Sequence, residues 1–321
     1  MTAGEGVGSP ASWILPATLI GLGAAGLVVT YRIAKNRSRK KIETPTTPEA
    51  LEALVPDSKF VDVNGARIHY IQAGEGPDVV LLHGIGASVF IWRFVFPLLQ
   101  VRYRVTAIDL PGFGKSCKEA KRDYGLDAQT EMIAQTLTTL NINEPLIVGS
   151  SMGGAISLWL AKLYPERFKK IAALSPATDR SLVPSAVQHF ATAAPLLRRA
   201  LNKRTMRAIL GRVLTRRDLI TEKVVDAYLE PFLDKGDGVR AFWSATSLLS
   251  DRRLPSGLKD LAAKILIIYG ERDMMVPRRS IDRLLKLIPN ARLLTHSEGG
   301  HHIMEDEPQW IADALETYQQ E

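Results

Sequence analysis

Five consecutive residues, Gly149-Ser150-Ser151-Met152-Gly153, are the ones whose types and spacing most directly suggest chemistry. A serine hydroxyl is a weak nucleophile until a neighbouring imidazole takes its proton. That imidazole in turn needs a carboxylate to fix its tautomer and stabilise its cation. The G-x-S-x-G spacing suits such a serine mechanically. On a strand-to-helix turn sharp enough to lift the hydroxyl above a sheet edge, the residues two positions either side must lack a Cβ. The amide of Met152, opening the helix that follows, would then point at any oxyanion forming beside the hydroxyl.

Such a turn needs a strand before it and a helix after it. Leu146-Ile147-Val148 has the length and β-branched content of a buried strand, and residues 155–163 read as a helix. Further strands are expected at residues 60–63, 67–73, 79–82, 104–108, 171–174, 265–268 and 292–294, with Asn64-Gly65 as a hairpin signal between the first two. Helices are expected over residues 128–140, 281–287 and 309–318. This alternation argues for an α/β fold with a parallel sheet and helices on both faces. Residues 178–257 break the pattern with helical segments alone, which reads as a cap over the carboxyl ends of the strands, where open α/β sheets bind ligands.

Ahead of this domain, no residue from Trp13 to Tyr31 is charged, and a helix over residues 13–33 is long enough to cross a bilayer. Trp13 and Tyr31 stand where amphipathic rings favour the interface, and Arg32, Lys35, Arg37, Arg39, Lys40 and Lys41 follow at once. With only Glu5 charged before the span, the positive-inside bias places the catalytic domain in the cytoplasm, on a single-pass anchor. Ala17, Gly21 and Ala25 recur at four-residue spacing, a small-residue face that would allow a homodimer through this helix. Gly21, Gly23 and Gly26 also match a dinucleotide-binding fingerprint, but the required second strand with its acidic end is missing. The organisation expected is an anchor at 1–33, a basic, proline-containing linker at 34–57, core at 58–177, cap at 178–257 and core again at 258–321.

The formal net charge of +7 is unevenly spread, crowding into residues 32–41 and 198–217. Neither block has the interleaved aromatics of a single-strand nucleic-acid surface, so no nucleic-acid partner is expected. A single cysteine, Cys117, excludes an internal disulfide and any multi-cysteine metal site.

Several motifs occur in one order: His83-Gly84-Ile85-Gly86, Asp109 through the Pro111-Gly112-Phe113-Gly114 turn to Ser116, Gly149 to Gly153, Gly270-Glu271-Arg272-Asp273 and Gly299-Gly300-His301. With them, the chain from Ser58 to Glu321 resembles a serine hydrolase of the α/β-hydrolase fold. The resemblance implies a mostly parallel eight-stranded sheet carrying a catalytic triad of Ser151, Asp273 and His301. Pro308, seven residues after His301, fits the family pattern and favours His301 over its neighbour His302. Asp179 is the rival to Asp273. The amides of Met152 and Ile85 would form the oxyanion hole, while His83 and Asp109 read as structural. No metal or organic cofactor is implied.

The chain is also similar to membrane-anchored monoacylglycerol lipases and carboxylesterases. That likeness implies hydrolysis of hydrophobic carboxylic esters, such as monoacylglycerols, through an acyl-enzyme. Carbon-carbon bond hydrolases of the meta-cleavage type share the Ser-Met-Gly-Gly sequence and stand as the alternative, beside a catalytically silent scaffold. Residues 196–214 mix Leu197, Leu201, Ile209, Leu210 and Val213 with Arg198, Arg199, Lys203, Arg207 and Arg212. This composition suits a helix attracted to anionic lipid, and suits equally a cap helix with a solvated basic face.

Overall fold

A computed structural model describes residues 56–119, 122–182, 199–233 and 237–321. Eight strands form one sheet: β1 (Lys59–Val63), β2 (Ala66–Ala73), β3 (Asp78–Leu82), β4 (Arg104–Ile108), β5 (Leu146–Ser150), β6 (Lys170–Leu174), β7 (Lys264–Gly270) and β8 (Arg292–His296). Their spatial order is β1-β2-β4-β3-β5-β6-β7-β8; β2 runs antiparallel to β1 and β4, and every other pair is parallel. Asn64 and Gly65 both take positive φ, 48° and 76°, as the tight β1–β2 hairpin requires.

The central strands are apolar over most of their length because both faces of the sheet are covered. In β3, Val80 and Leu82 belong to one core and Val79 and Leu81 to the other. The helices, in chain order, are α1 (Val95–Leu99), α2 (Leu126–Thr139), α3 (Met152–Leu163), α4 (Lys203–Val213), α5 (Glu222–Leu229), α6 (Asp237–Leu249), α7 (Arg278–Leu287), α8 (Ile303–Asp306) and α9 (Pro308–Gln320). α2, α3 and α7 cover the first face, while α1 and α9 cover the second. Between β6 and β7, α4, α5 and α6 supply the expected helical cap. α4 and α5 bury side chains in the second core and α6 mainly in the first, with Val239 in the second, so the cap is seated on both.

The amphipathic pattern of α4 is used for packing. Met206, Leu210 and Val213 are buried, Lys203 pairs with Glu222 and Asp226 of α5, and Arg207 pairs with Glu222. Its apolar stripe thus faces the protein, leaving Ile209 as its exposed large apolar residue. The expected transmembrane helix at 13–33, and the dimer face within it, lie outside the described residues. Among those described, no helix is long and apolar enough to cross a membrane.

Candidate active site

Strand β5 ends at Ser150 and helix α3 begins at Met152, so the whole change of direction falls on Ser151. Its backbone sits at φ 53°, ψ −113°, a region that L-residues avoid. The flanking glycines are required by space. A Cβ on Gly149 would lie 2.2 Å from the Gly153 carbonyl oxygen, and one on Gly153 would lie 2.5 Å from that of Leu82. The elbow is tied down by the Ser151 amide, which donates to Leu174 at 2.9 Å, and by the Ser151 carbonyl, which accepts from Ala155 and Ala177. The Met152 amide opens α3, as the oxyanion reading requires.

Asp273 follows β7 and His301 follows β8, both past the same carboxyl edge of the sheet that presents Ser151. His301 Nδ1 lies 2.9 Å from Asp273 Oδ2, with both side chains buried. The other carboxylate oxygen, Oδ1, accepts from the amides of Met275 at 2.7 Å and Val276 at 2.9 Å. Burial alone would push the Asp273 carboxyl up. The His301 imidazole and the Val276 amide outweigh it and hold the group below the usual carboxylate range. An ionised Asp273 accepts from Nδ1–H and leaves Nε2 of His301 as the basic nitrogen. Among the described residues the Ser151 hydroxyl makes no hydrogen bond to His301. Catalytic contacts of this kind often close only around substrate.

Both rivals are engaged elsewhere. Asp179 accepts from Ser280 at 3.0 Å and Arg283 at 2.5 Å, which ties it to α7. His302 directs Nδ1 at Glu305, 2.8 Å away, and at the Tyr228 hydroxyl, 2.9 Å away.

The loop carrying Ile85 is held by His83. The imidazole Nε2 accepts from the Leu110 amide at 2.9 Å, so Nδ1 carries the proton and donates to the Gly84 carbonyl at 2.7 Å. Burial pushes this imidazole below its ordinary pKa and keeps it neutral. Asp109 pins the same region through Val89, Lys115 and His69. Gly84 packs against the elbow, where a Cβ would lie 3.1 Å from that of Ser151. At Gly86 (φ 72°) a Cβ would lie 3.0 Å from Phe242 and 3.2 Å from Phe232, so two cap rings roof the loop.

Behind His301 lies a buried group that sequence reasoning missed. Arg93 donates to Glu305, Glu305 accepts from the Tyr228 hydroxyl, and His302 completes the set. The rings of Tyr228, His302 and His301 form a stack with centroid spacings of 5.9 and 5.6 Å. The His302–Glu305 spacing of three was a local signal; Arg93 and Tyr228, distant in sequence, offered none.

The sequence profile of the α/β hydrolase fold matches residues 77–308. YugF, an uncharacterised hydrolase of Bacillus subtilis (strain 168), is 31% identical over 278 residues, covering 84% of this chain and 99% of that protein. A pimeloyl-acyl-carrier-protein methyl ester esterase of Aeromonas hydrophila is 28% identical over 252 residues, 76% of this chain and 96% of that one. Among solved structures, a meta-cleavage product hydrolase from Pseudomonas fluorescens IP01 aligns with a TM-score of 0.70 at 25% identity, covering 84% of this chain and 98% of that one. Sheet order, elbow and matched span agree, and the chain belongs to the α/β-hydrolase fold family.

Proposed function

We propose that the protein is a membrane-anchored serine hydrolase of hydrophobic carboxylic esters, monoacylglycerols among them. The observation that carries the reading is the strained elbow at Ser151, beside a buried His301–Asp273 pair on the same sheet edge. Ser151 Oγ attacks the ester carbonyl while His301 Nε2 takes its proton, and Asp273 steadies the imidazolium. The amides of Met152 and Ile85 receive the oxyanion. His301 then protonates the departing alcohol, leaving an acyl-enzyme on Ser151 that water cleaves by the same proton path in reverse. Phe232 and Phe242 over the oxyanion loop favour an apolar acyl group, and the likeness to an ester hydrolase supports the bond type.

A fluorophosphonate reagent tests the nucleophile: the adduct should map to Ser151 and vanish in Ser151→Ala. An unlabelled native protein would return the fold to a silent scaffold. The likeness to a meta-cleavage product hydrolase favours carbon-carbon cleavage as a second reading. Turnover of a meta-cleavage dienone faster than of any p-nitrophenyl ester or monoacylglycerol would establish it instead. For the anchor at residues 13–33, we infer that the full chain stays in membranes through alkaline carbonate extraction, with its catalytic domain open to protease from the cytoplasmic side. Release by carbonate, or protection from that protease, would refute the anchor or its orientation respectively. A homodimer through Ala17, Gly21 and Ala25 predicts a crosslinked pair in mild detergent that Gly21→Leu removes.

A further inference from the structure

A cleft of about 610 Å³ lies between the cap and the hydrolase core, and none of Ser151, Asp273 and His301 lines it. Its walls are largely apolar, from Val89, Phe90 and Phe96 on the core side and Ala227, Pro231 and Leu233 on the cap side. Leu233 is 61% exposed.

A polar cluster also lines the cleft. Asp109 Oδ2 accepts from His69 Nδ1 at 2.7 Å, so Nε2 accepts from the Ser58 hydroxyl at 2.9 Å. Ser58 Oγ in turn accepts from the Lys115 ammonium at 3.1 Å. Lys118 also lines the cleft, with its ammonium donating to the Gly114 carbonyl at 2.6 Å. Two acids also line it. Asp109 is committed to the Val89 and Lys115 amides and to His69, while Glu230 stands on the cap side. Among the described residues the Lys115 ammonium meets a neutral hydroxyl and no carboxylate.

We propose that this cleft is a second binding site, for a long-chain fatty acid whose carboxylate meets Lys115 and whose chain lies against Phe90, Phe96, Pro231 and Leu233. The volume fits: at ~30 Å³ per water-sized group it holds roughly 20 heavy atoms, a carboxylate with a chain of about sixteen carbons. An apolar wall with a few convergent polar groups is the usual form of such a site. Its occupant would bridge cap and core where the Phe90 ring meets Tyr228 edge-on at 5.9 Å, one ring removed from His302. The proposal stands whether or not Ser151 acts on lipid esters.

The full chain carrying Ser151→Ala, in nonionic detergent, is irradiated with a photoreactive diazirine palmitate and its peptides are mapped. Labelling is expected in the peptides holding Val89 to Pro97 or Ala227 to Leu233. Palmitate should displace it, whereas hexadecanol at the same concentration should not. Lys115→Glu, an exposed change, and Ala227→Trp, which fills the cleft, should each lower labelling about ten-fold with the thermal unfolding midpoint kept. The proposal is overturned by labelling confined to peptides of Ser151, His301 or residues 13–31, by equal competition from hexadecanol, or by unchanged labelling in both variants. Stronger competition by hexadecyl phosphate than by palmitate would reject the carboxylate as head group.

Discussion

Ser151 presents its hydroxyl from a backbone conformation that costs about 1–3 kcal/mol for a residue with a Cβ. Glycine removes that strain, so Ser151→Gly should be inactive yet more stable by roughly 1 kcal/mol, read from chemical unfolding. A variant less stable than the native chain would mean that the hydroxyl contributes more to folding than the strain removes. His83 gives a second prediction, in pH. Burial lowers its folded pKa below the unfolded value of about 6.5, so the unfolded chain takes up the proton first. The stability this neutral imidazole contributes is complete above that unfolded pKa and is lost as pH falls through the folded one. Urea midpoints should therefore fall from pH 8 toward pH 5, and His83→Gln, which keeps a donor and an acceptor, should flatten the slope. Parallel slopes in the two proteins would assign the effect to another group.

At the scale of elements, the strands and helices around Ser151 were legible because each follows a single rule: short apolar runs for β3 and β5, a tight Asn-Gly turn for the hairpin, Gly-x-Ser-x-Gly for the elbow. Helix α1 was not, since Val89 to Leu99 is apolar apart from Arg93, has neither helical nor strand period, and places Pro97 where a helix is not expected. The Arg93–Glu305 pair was beyond reach for a different reason: its partners are 212 positions apart, and nothing local in either stretch selects the other. Yet this pair, buried with Tyr228 and His302, ties cap helix α5 to the loop that carries His301. Arg93→Met takes the guanidinium from the buried Glu305 carboxylate and leaves it only the Tyr228 hydroxyl and His302, which should cost up to about 3–5 kcal/mol. Adding Glu305→Gln should recover a large part of it, because the uncompensated charge is then gone. Additive losses in the double variant would show that the two residues act separately. Tyr228→Phe should lower kcat and leave KM nearly unchanged, since its hydroxyl bonds Glu305 and His302, whose ring stacks on that of His301. A rise in KM alone would place Tyr228 in the binding pocket instead.

For the whole molecule, the question is whether the cap moves independently of the machinery beneath it. Asp306 Oδ1 accepts from the amides of Thr215 and Arg216, which lead out of α4, while Oδ2 accepts from the Gly300 amide directly before His301. The His302 amide donates to the Val213 carbonyl at 2.9 Å, closing the same junction from the other side. One carboxylate thus holds three amides, so the exit of α4 and the loop of His301 should open together as a cooperative unit. Asp306→Ala removes all three bonds and leaves their donors without a partner, a loss expected to exceed a single hydrogen bond's ~1 kcal/mol. Hydrogen exchange should then quicken in residues 213–216 and 299–303 by the same factor, with kcat reduced and exchange in α2 and α3 unchanged. If 213–216 exchanged faster while 299–303 kept its native rate, the cap would be a separately hinged lid. Substrate entry would then not require any movement of the imidazole.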